Sequence, residues 1–114
     1  EIYTLSLHDA LPIYGHGATT LKTLKAAGIT KEDINMFIAH QANNRIIQAI
    51  AKRLALPQDH MYVNVNRYGN TSAASVGIAL DEVVRAGRVK HGDYVVLTGF
   101  GAGLTWGCDV MRWM

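Results

Sequence analysis

Apolar positions along this chain recur in short blocks whose spacing alternates between that of a helix and that of a strand. Helical spacing predicts three helices, each followed by a glycine or proline, over residues 18–27, 41–54 and 71–86. Compact or alternating apolar runs predict four strands, over residues 36–39, 62–65, 94–98 and 105–113. Because strands alternate with helices, the predicted fold class is α/β, with a largely buried mixed sheet that ends in an antiparallel pair.

The first thirteen residues differ from the rest of the chain. They show no clear helical or strand period, and they back-translate to a widely used short-read sequencing adapter. We therefore expect residues 1–13 to be a non-native, adapter-derived segment, and we assign no role to His8 or Asp9. Residues 14–114 are expected to be one domain, or part of one, from a longer protein.

The composition is that of an ordinary soluble α/β domain, with 49% apolar and 18% charged residues. No apolar run approaches the roughly 20 residues needed to cross a bilayer, so no membrane association is expected. The 11 basic against 9 acidic side chains are far from the Lys/Arg stripe of a nucleic-acid binder. The single cysteine fits a reducing compartment, and a cytoplasmic location is expected.

Two polar residues stand where a strand-like run gives way to a helix-like run. His40 follows one such run and Asn70 the next. An α/β fold presents side chains to ligands at these junctions. A neutral imidazole and a carboxamide in one pocket would provide two hydrogen-bond donors for a developing oxyanion. Taken singly, each also has a structural interpretation, as a helix start for His40 and a turn end for Asn70.

The chain contains no convincing nucleophile to accompany these donors. Cys108 lies inside a predicted strand, without a helix N-terminus or an adjacent cation to lower its pKa, so we interpret it as a buried structural cysteine. The histidines His16, His60 and His91 lack metal-ligand spacing and are assigned to the surface. No metal site is predicted.

Two further patterns leave alternatives open. The glycines between Gly99 and Gly103 do not match a dinucleotide fingerprint, whose sixth position is here Leu104. They form either a tight turn between strands or a place where backbone NH groups approach a ligand carbonyl. Three cations on one helix face form either a solvated surface or a docking patch for an acidic partner: Arg45, Lys52 and Arg53.

Four segments together carry a family resemblance: Phe37 to Arg45, Asn66 to Val76, Ala79 to Gly87, and Gly99 to Gly107. They resemble the C-terminal part of β-ketoacyl-acyl-carrier-protein synthase III, a condensing enzyme with the thiolase fold. The resemblance runs from about Ala18 to Arg112. It implies the C-terminal half of a thiolase-like fold with a mixed sheet, and a Cys-His-Asn active site in which His40 and Asn70 are the histidine and the asparagine.

The resemblance also implies an activity, an acyltransferase that starts fatty-acid synthesis. Such an enzyme condenses an acyl-CoA starter with malonyl-acyl-carrier protein, with loss of carbon dioxide and without a cofactor. By position, the Ala102 backbone NH would bind the thioester carbonyl. The basic patch of Arg45, Lys52 and Arg53 would receive the acyl carrier protein, and Asn43 would contact the pantetheine arm or a water molecule. A cytoplasmic homodimer is expected of the full-length enzyme.

The family's cysteine lies in its N-terminal half, and Cys108 does not match it. We therefore expect the chain alone to be inactive, and to aggregate because apolar surface is left uncovered. Two other hypotheses remain: another thiolase-fold condensing enzyme, such as a polyketide or quinolone starter synthase, and a non-catalytic binding or assembly domain. The DNA upstream of Tyr14 distinguishes them, because both enzyme hypotheses require a cysteine encoded there.

Overall fold

A computed structural model of the chain describes residues 17–41, 43–71, 74–101 and 105–114. The helices are α1 (17–27), α2 (Asn44–Arg53), the single turn α3 (Val65–Tyr68) and α4 (Ala74–Arg85). The strands are β1 (Ile34–Ala39), β2 (Tyr94–Gly101) and β3 (Thr105–Arg112), and there are two short 3₁₀ helices, Lys31–Asp33 and Gln58–His60. The segment 1–13 and Ala102 lie outside the described residues.

The three strands form one mixed sheet in the order β1-β2-β3. Strands β1 and β2 are parallel, as expected for strands connected through helices, and β2 and β3 are antiparallel. The antiparallel pairing runs to Gly101 opposite Thr105. The predicted mixed sheet with a closing antiparallel pair is confirmed.

The side chains of β1 alternate between two apolar clusters, one on each face of the sheet. Phe37 packs into the cluster that includes residues of α1 and α2, whereas Met36 and Ile38 pack into the cluster that includes residues of α4. All three side chains are at most 2% exposed. A strand covered on both faces needs a continuous apolar run, which explains why residues 36–39 lack the alternation of a half-exposed strand.

The predicted strand over residues 62–65 is wrong. Only Met61 forms an isolated parallel bridge to Phe37, and α3 already begins at Val65. The alternation did indicate the packing, because Tyr62 lies in the α4 cluster and Val63 in the opposite one. The backbone NH groups of the next two residues, however, are bound by a side chain and not by a neighbouring strand.

The predicted helix over 41–54 starts later, at Asn44, because the side chain of Asn43 accepts a hydrogen bond from the Ile46 backbone NH and so caps it. None of the described helices combines the length and the apolar character that a membrane crossing requires. The helices instead place their apolar faces on the sheet. The predicted strand-to-helix junction is confirmed at His40, which follows β1, but not at Asn70, which follows the helical turn α3.

Candidate active site

His40 directly follows the last residue of β1, at the carboxyl end of the parallel strands. Its backbone NH donates to the carbonyl oxygen of Thr98 in β2, with a distance of 2.8 Å between nitrogen and oxygen. This bond continues the pairing of β1 with β2 by one residue. The imidazole is half-buried. The position agrees with the prediction, because open α/β sheets bind ligands beyond the carboxyl ends of their strands.

Asn70 lies in the short connection between α3 and α4 and is exposed. It is preceded by Gly69, whose φ of 68° and ψ of −162° fall in a region that only glycine occupies readily. The Gly69 NH donates to the Val65 carbonyl oxygen at 2.7 Å and ends the helical turn. The glycine therefore sets the direction in which the chain leaves α3 toward Asn70.

The structure brings the two predicted donors together, because the side chains of His40 and Asn70 are hydrogen-bonded. Burial lowers the pKa of His40 below its ordinary value of 6.5, and the bond to Asn70 offsets only part of this effect. The imidazole is therefore neutral near pH 7. A neutral imidazole has one NH donor, which is the form that the predicted oxyanion role requires.

Gln41 is a residue of this site that the sequence analysis missed. Its side chain is fully buried, and its Nε2 donates to the carbonyl oxygens of Ala39 at 2.9 Å and Tyr62 at 3.3 Å. Its Oε1 accepts from the backbone NH groups of Asn64 at 2.9 Å and Val65 at 3.2 Å. The carboxamide thus joins the end of β1 to the segment that leads to Asn70. A polar residue immediately after an apolar strand was the only sequence signal for it.

Glu82 of α4 organises a second polar cluster that also escaped the sequence analysis. Its Oε1 accepts from Asn64 Nδ2 at 2.9 Å, Tyr62 Oη at 3.0 Å and Arg67 Nη2 at 2.7 Å. Its Oε2 accepts from Tyr68 Oη at 3.0 Å. The hydrogen bond from Asn64 is the largest of the effects that lower the pKa of this carboxyl group. The cluster ties α3 to α4, on either side of Asn70.

The three predicted docking cations, Arg45, Lys52 and Arg53, are all exposed on α2. The opposite face of the helix is buried and apolar, and the helix contains no acidic residue. The cations therefore form a basic face that begins close after His40. Asn43, predicted to bind substrate, uses its Oδ1 to cap this helix; its proposed contact with substrate stays a prediction.

Cys108 has the surroundings of a structural residue. It is half-buried on β3, next to the cluster that includes α1, and its Sγ lies 3.9 Å from Thr20 Oγ1. Burial raises the pKa of its thiol, although hydrogen bonds with Thr23 and Thr20 act in the opposite direction. A raised pKa is the reverse of what a nucleophilic cysteine needs. The structure supports the structural interpretation, with burial less complete than predicted.

The remaining predictions have mixed outcomes. His91 is exposed as predicted, His60 is half-buried, and His16 lies outside the described residues. Strand pairing continues through Gly99, Phe100 and Gly101, so this part of the glycine-rich segment is strand and does not open a helix as a dinucleotide motif would. The rest of the segment lies outside the described residues. The described ranges contain no group of three or more His, Cys, Asp or Glu residues that could hold a metal ion.

Comparisons with known proteins agree on one family. The family model "3-Oxoacyl-[acyl-carrier-protein (ACP)] synthase III C terminal" matches residues 24–113. The chain is 54% identical over 96 residues to beta-ketoacyl-[acyl-carrier-protein] synthase III of Caldanaerobacter subterraneus, and 54% identical over 95 residues to that of Clostridioides difficile. These alignments cover 84% and 83% of this chain, and the chain spans 29% of the length of either relative.

Solved structures lead to the same fold. The structure of beta-ketoacyl-[acyl carrier protein] synthase III from Thermus thermophilus superposes with a TM-score of 0.90 at 49% identity, covering 93% of this chain and 33% of that one. That of 3-oxoacyl-(acyl carrier protein) synthase III from Pseudomonas aeruginosa gives a TM-score of 0.90 at 37% identity, covering 94% and 34%. The chain belongs to the ketoacyl-acyl-carrier-protein synthase III family and has part of its thiolase fold.

Proposed function

We propose that this chain forms the C-terminal region of a ketoacyl synthase III and supplies two of its three catalytic residues, His40 and Asn70. The observation that carries the proposal is the hydrogen bond between these two side chains, one from the end of strand β1 and the other from the connection between α3 and α4. The family membership, established on residues 24–113, provides the reaction in which such a pair is used. The whole reaction is the decarboxylative condensation of an acyl-CoA starter with malonyl-acyl-carrier protein.

The chemistry assigns the pair to the decarboxylation step. When carbon dioxide leaves the malonyl thioester, the electrons of the broken C–C bond form an enolate with a negative oxygen. The Asn70 side-chain NH₂ donates to that oxygen, and the single NH of neutral His40 does so once it leaves its bond to Asn70. Neither group carries a charge before the reaction. Stabilising the enolate more than the substrate lowers the barrier of this step.

The carbon–carbon bond then forms at the acyl group carried by a cysteine. We propose that this cysteine belongs to a part of the enzyme outside the given sequence. The enolate carbon attacks the carbonyl of the acyl-cysteine thioester, and the C–S bond breaks to release the cysteine thiolate. The half-buried position of Cys108 against α1 and its raised pKa argue against this role for it. The Ala102 backbone NH is proposed as a donor to the thioester carbonyl.

The carrier protein is proposed to dock on the basic face of α2, which consists of Arg45, Lys52 and Arg53. All three side chains are exposed, and the face lies on the helix that begins four residues after His40. An acidic carrier protein bound there would have its pantetheine arm close to the carboxyl end of β1. Charge complementarity of this kind mainly accelerates association. A homodimeric, cytoplasmic enzyme completes the proposal.

The proposal is tested in a chimera, since the chain is proposed to lack the nucleophile. In the Thermus chimera, residues 17–114 of this chain replace the corresponding region of the Thermus thermophilus enzyme. We expect it to condense acyl-CoA with malonyl-acyl-carrier protein. Asn70→Ala and His40→Ala are each expected to reduce kcat by about 10²- to 10³-fold, as the loss of one oxyanion donor does elsewhere.

The matched control is Cys108→Ser, which should leave kcat unchanged. Thermal unfolding of each variant shows whether it is folded. A folded chimera without condensing activity would contradict the proposed function, and so would an Asn70→Ala variant that retains full activity.

A further inference from the structure

Gln41 holds the chain on both sides of Asn70. Upstream, its carboxamide binds the backbone NH groups of Asn64 and Val65. Downstream, the Gln41 backbone NH donates to Ser75 Oγ in the first turn of α4, at 3.1 Å. Both Gln41 and Ser75 are fully buried. Asn70 therefore lies in a loop whose two ends are attached to one residue.

That one residue is also the chain neighbour of His40. Its Nε2 donates to the carbonyl oxygen of Ala39, on the other side of His40. The hydrogen bond between His40 and Asn70 closes a ring of contacts that passes through Gln41. In such a ring, the distance between the two donors depends on the Gln41 side chain and on the Ser75 hydroxyl.

We propose that Gln41 is a positioning residue, which fixes the loop of Asn70 relative to His40 so that both donors reach the same enolate oxygen. This inference rests on the proposed function. Ser75 takes part through the Gln41 backbone. Neither residue needs to touch substrate, because both act through the two donors.

The carboxamide is suited to this task because it both donates and accepts. Its NH₂ group donates to two carbonyl oxygens, and its oxygen accepts from two backbone NH groups. Each of these hydrogen bonds constrains the orientation of the groups that it joins. A buried apolar side chain of the same length would fill the space, but these four backbone groups would lose their hydrogen bonds to the Gln41 carboxamide. Catalysis is sensitive to such changes, since a displacement of about 1 Å can reduce the rate about 10²-fold.

The experiment separates positioning from a general structural role by measuring two steps in the Thermus chimera. Loading of the catalytic cysteine by acyl-CoA is followed by mass spectrometry, and malonyl-acyl-carrier protein decarboxylation by release of carbon dioxide. Only the second step uses the oxyanion donors in the proposed mechanism. The variants are Gln41→Met, which keeps the length of the side chain, and Ser75→Ala, which removes one hydroxyl.

We expect Gln41→Met to slow decarboxylation by about 10- to 100-fold, while acyl loading and the KM for malonyl-acyl-carrier protein change little. Ser75→Ala should show the same split with a smaller loss. The control is Gln58→Ala. The Gln58 carboxamide also joins two elements, because its Nε2 donates to Gln48 Oε1 of α2 at 2.9 Å, but this contact lies outside the ring. The control variant should leave both steps unchanged.

Three outcomes would overturn the inference: both variants decarboxylate like the parent chimera, both steps fall together, or the Gln58→Ala control shows the same split. If Gln41→Met does not fold, the milder Ser75→Ala decides. The proposed function fails separately, if His40→Ala and Asn70→Ala decarboxylate at the parent rate. Loss of decarboxylation in those two variants together with unchanged Gln41→Met and Ser75→Ala would reject the positioning role alone.

Discussion

The imidazole of His40 and the carboxamide of Asn70 are hydrogen-bonded to each other, although one follows a sheet strand and the other a glycine-ended helical turn. The bond fixes their relative orientation before any substrate is present. Groups that are already oriented need little reorganisation when charge develops beside them. The two side chains therefore form one oriented pair, as the proposed function requires.

The first prediction concerns the pH dependence of the reaction. Because burial lowers the pKa of His40 below 6.5, the neutral imidazole persists into mildly acidic solution. We expect the decarboxylation rate of the Thermus chimera to be level near neutrality and to fall at acid pH with an apparent pKa below 6.5. Asn70→Ala removes the bond that favours the charged form, so this apparent pKa should move further down.

The lowered pKa of His40 also affects the free energy of unfolding. The unfolded chain takes up a proton on His40 as pH falls through 6.5, whereas the folded chain still excludes it. Stability linked to His40 is therefore fully present above this pH and is lost as pH falls toward the lowered pKa. His40→Ala should show a weaker pH dependence of the unfolding midpoint in this window. An acid limb with an apparent pKa above 6.5 would contradict the assignment.

A second prediction follows from the backbone of Gly69. Its φ of 68° and ψ of −162° are strained for any residue with a β-carbon, by about 1–3 kcal/mol. A β-carbon at this position would meet no neighbouring atom within 4 Å, so the cost is conformational and not a clash. We expect Gly69→Ala to lower the unfolding midpoint of the Thermus chimera and to reduce decarboxylation by displacing Asn70.

Gly77→Ala is the matched control for Gly69. It lies in α4, where φ is negative, and a β-carbon there would also meet no atom within 4 Å. Alanine in a helix is favoured over glycine, so this variant should be as stable as the parent or more so. Equal stability of the two variants would show that the backbone of Gly69 is not strained by a side chain.

The third prediction concerns Glu82. Hydrogen bonds from Asn64, Tyr62 and Tyr68, in addition to the charge of Arg67, lower the pKa of this carboxyl group below 4.5. Its contribution to stability is present above pH 4.5 and is lost as pH falls through the lowered pKa. Glu82→Gln should destabilise the Thermus chimera at pH 7 and lose this part of the acid dependence.

The control for Glu82 is Asp81→Asn. Asp81 is exposed and pairs with Arg85 one helical turn away, at 2.8 Å in the closest contact between the two side chains. Exposed pairs of this kind contribute little to stability. Urea unfolding at pH 7 and pH 4 should therefore separate the two variants. A Glu82→Gln protein with parental stability at both pH values would mean that the cluster is not important for the fold.

The fourth prediction is that Cys108 reacts slowly. Burial raises its pKa, so only a small part of the thiol is ionised at pH 8, and its Sγ lies against Thr20. Alkylation of Cys108 in the Thermus chimera by iodoacetamide, followed by peptide mass spectrometry, should be several-fold slower in buffer than in urea. Equal rates would show that the thiol is open to solvent and would remove one argument against its catalytic use.

The fifth prediction tests the basic face of α2. Replacing Arg45 and Lys52 by glutamate should raise the KM for malonyl-acyl-carrier protein in the Thermus chimera and leave the KM for acyl-CoA loading much less affected. The increase in the KM for malonyl-acyl-carrier protein should be smaller at high salt, because salt screens interactions between exposed charges. The control is Lys90→Glu, at an exposed cation between α4 and β2. A KM that is unchanged in the double variant would contradict docking on this face.

The sheet and its helices could be predicted from the sequence because burial determines them. Strand β1 is apolar at every position whose side chain enters one of the two apolar clusters. Helix α2 has Ile46, Ile47 and Ile50 on its buried side. His40 could be predicted because it ends such a pattern, whereas Asn70 follows residues 62–65, which were wrongly predicted to form a strand. The contact between His40 and Asn70 could not be predicted, since no local pattern reports a hydrogen bond between residues from separate connections.

Residues 62–65 show where pattern reasoning fails. Their alternation reports correctly that successive side chains enter opposite clusters, but strand pairing also needs a partner for the backbone. Here Gln41 binds the NH groups of Asn64 and Val65, and the chain turns into α3. Hydrogen bonds between a side chain and polar groups distant in the sequence produce no periodic pattern of apolar and polar residues. For the same reason neither Gln41 nor Glu82 was recognised from the sequence.

The bond from the His40 NH to the Thr98 carbonyl oxygen has a consequence for the motion of the two donors. Opening that bond requires the end of β1 to separate from β2, and the core strands of a domain are among its last parts to open. The backbone of Asn70 lies in an exposed connection, which opens at much lower cost. The imidazole is thus the stationary partner of the hydrogen bond, and the carboxamide is the one whose backbone can move.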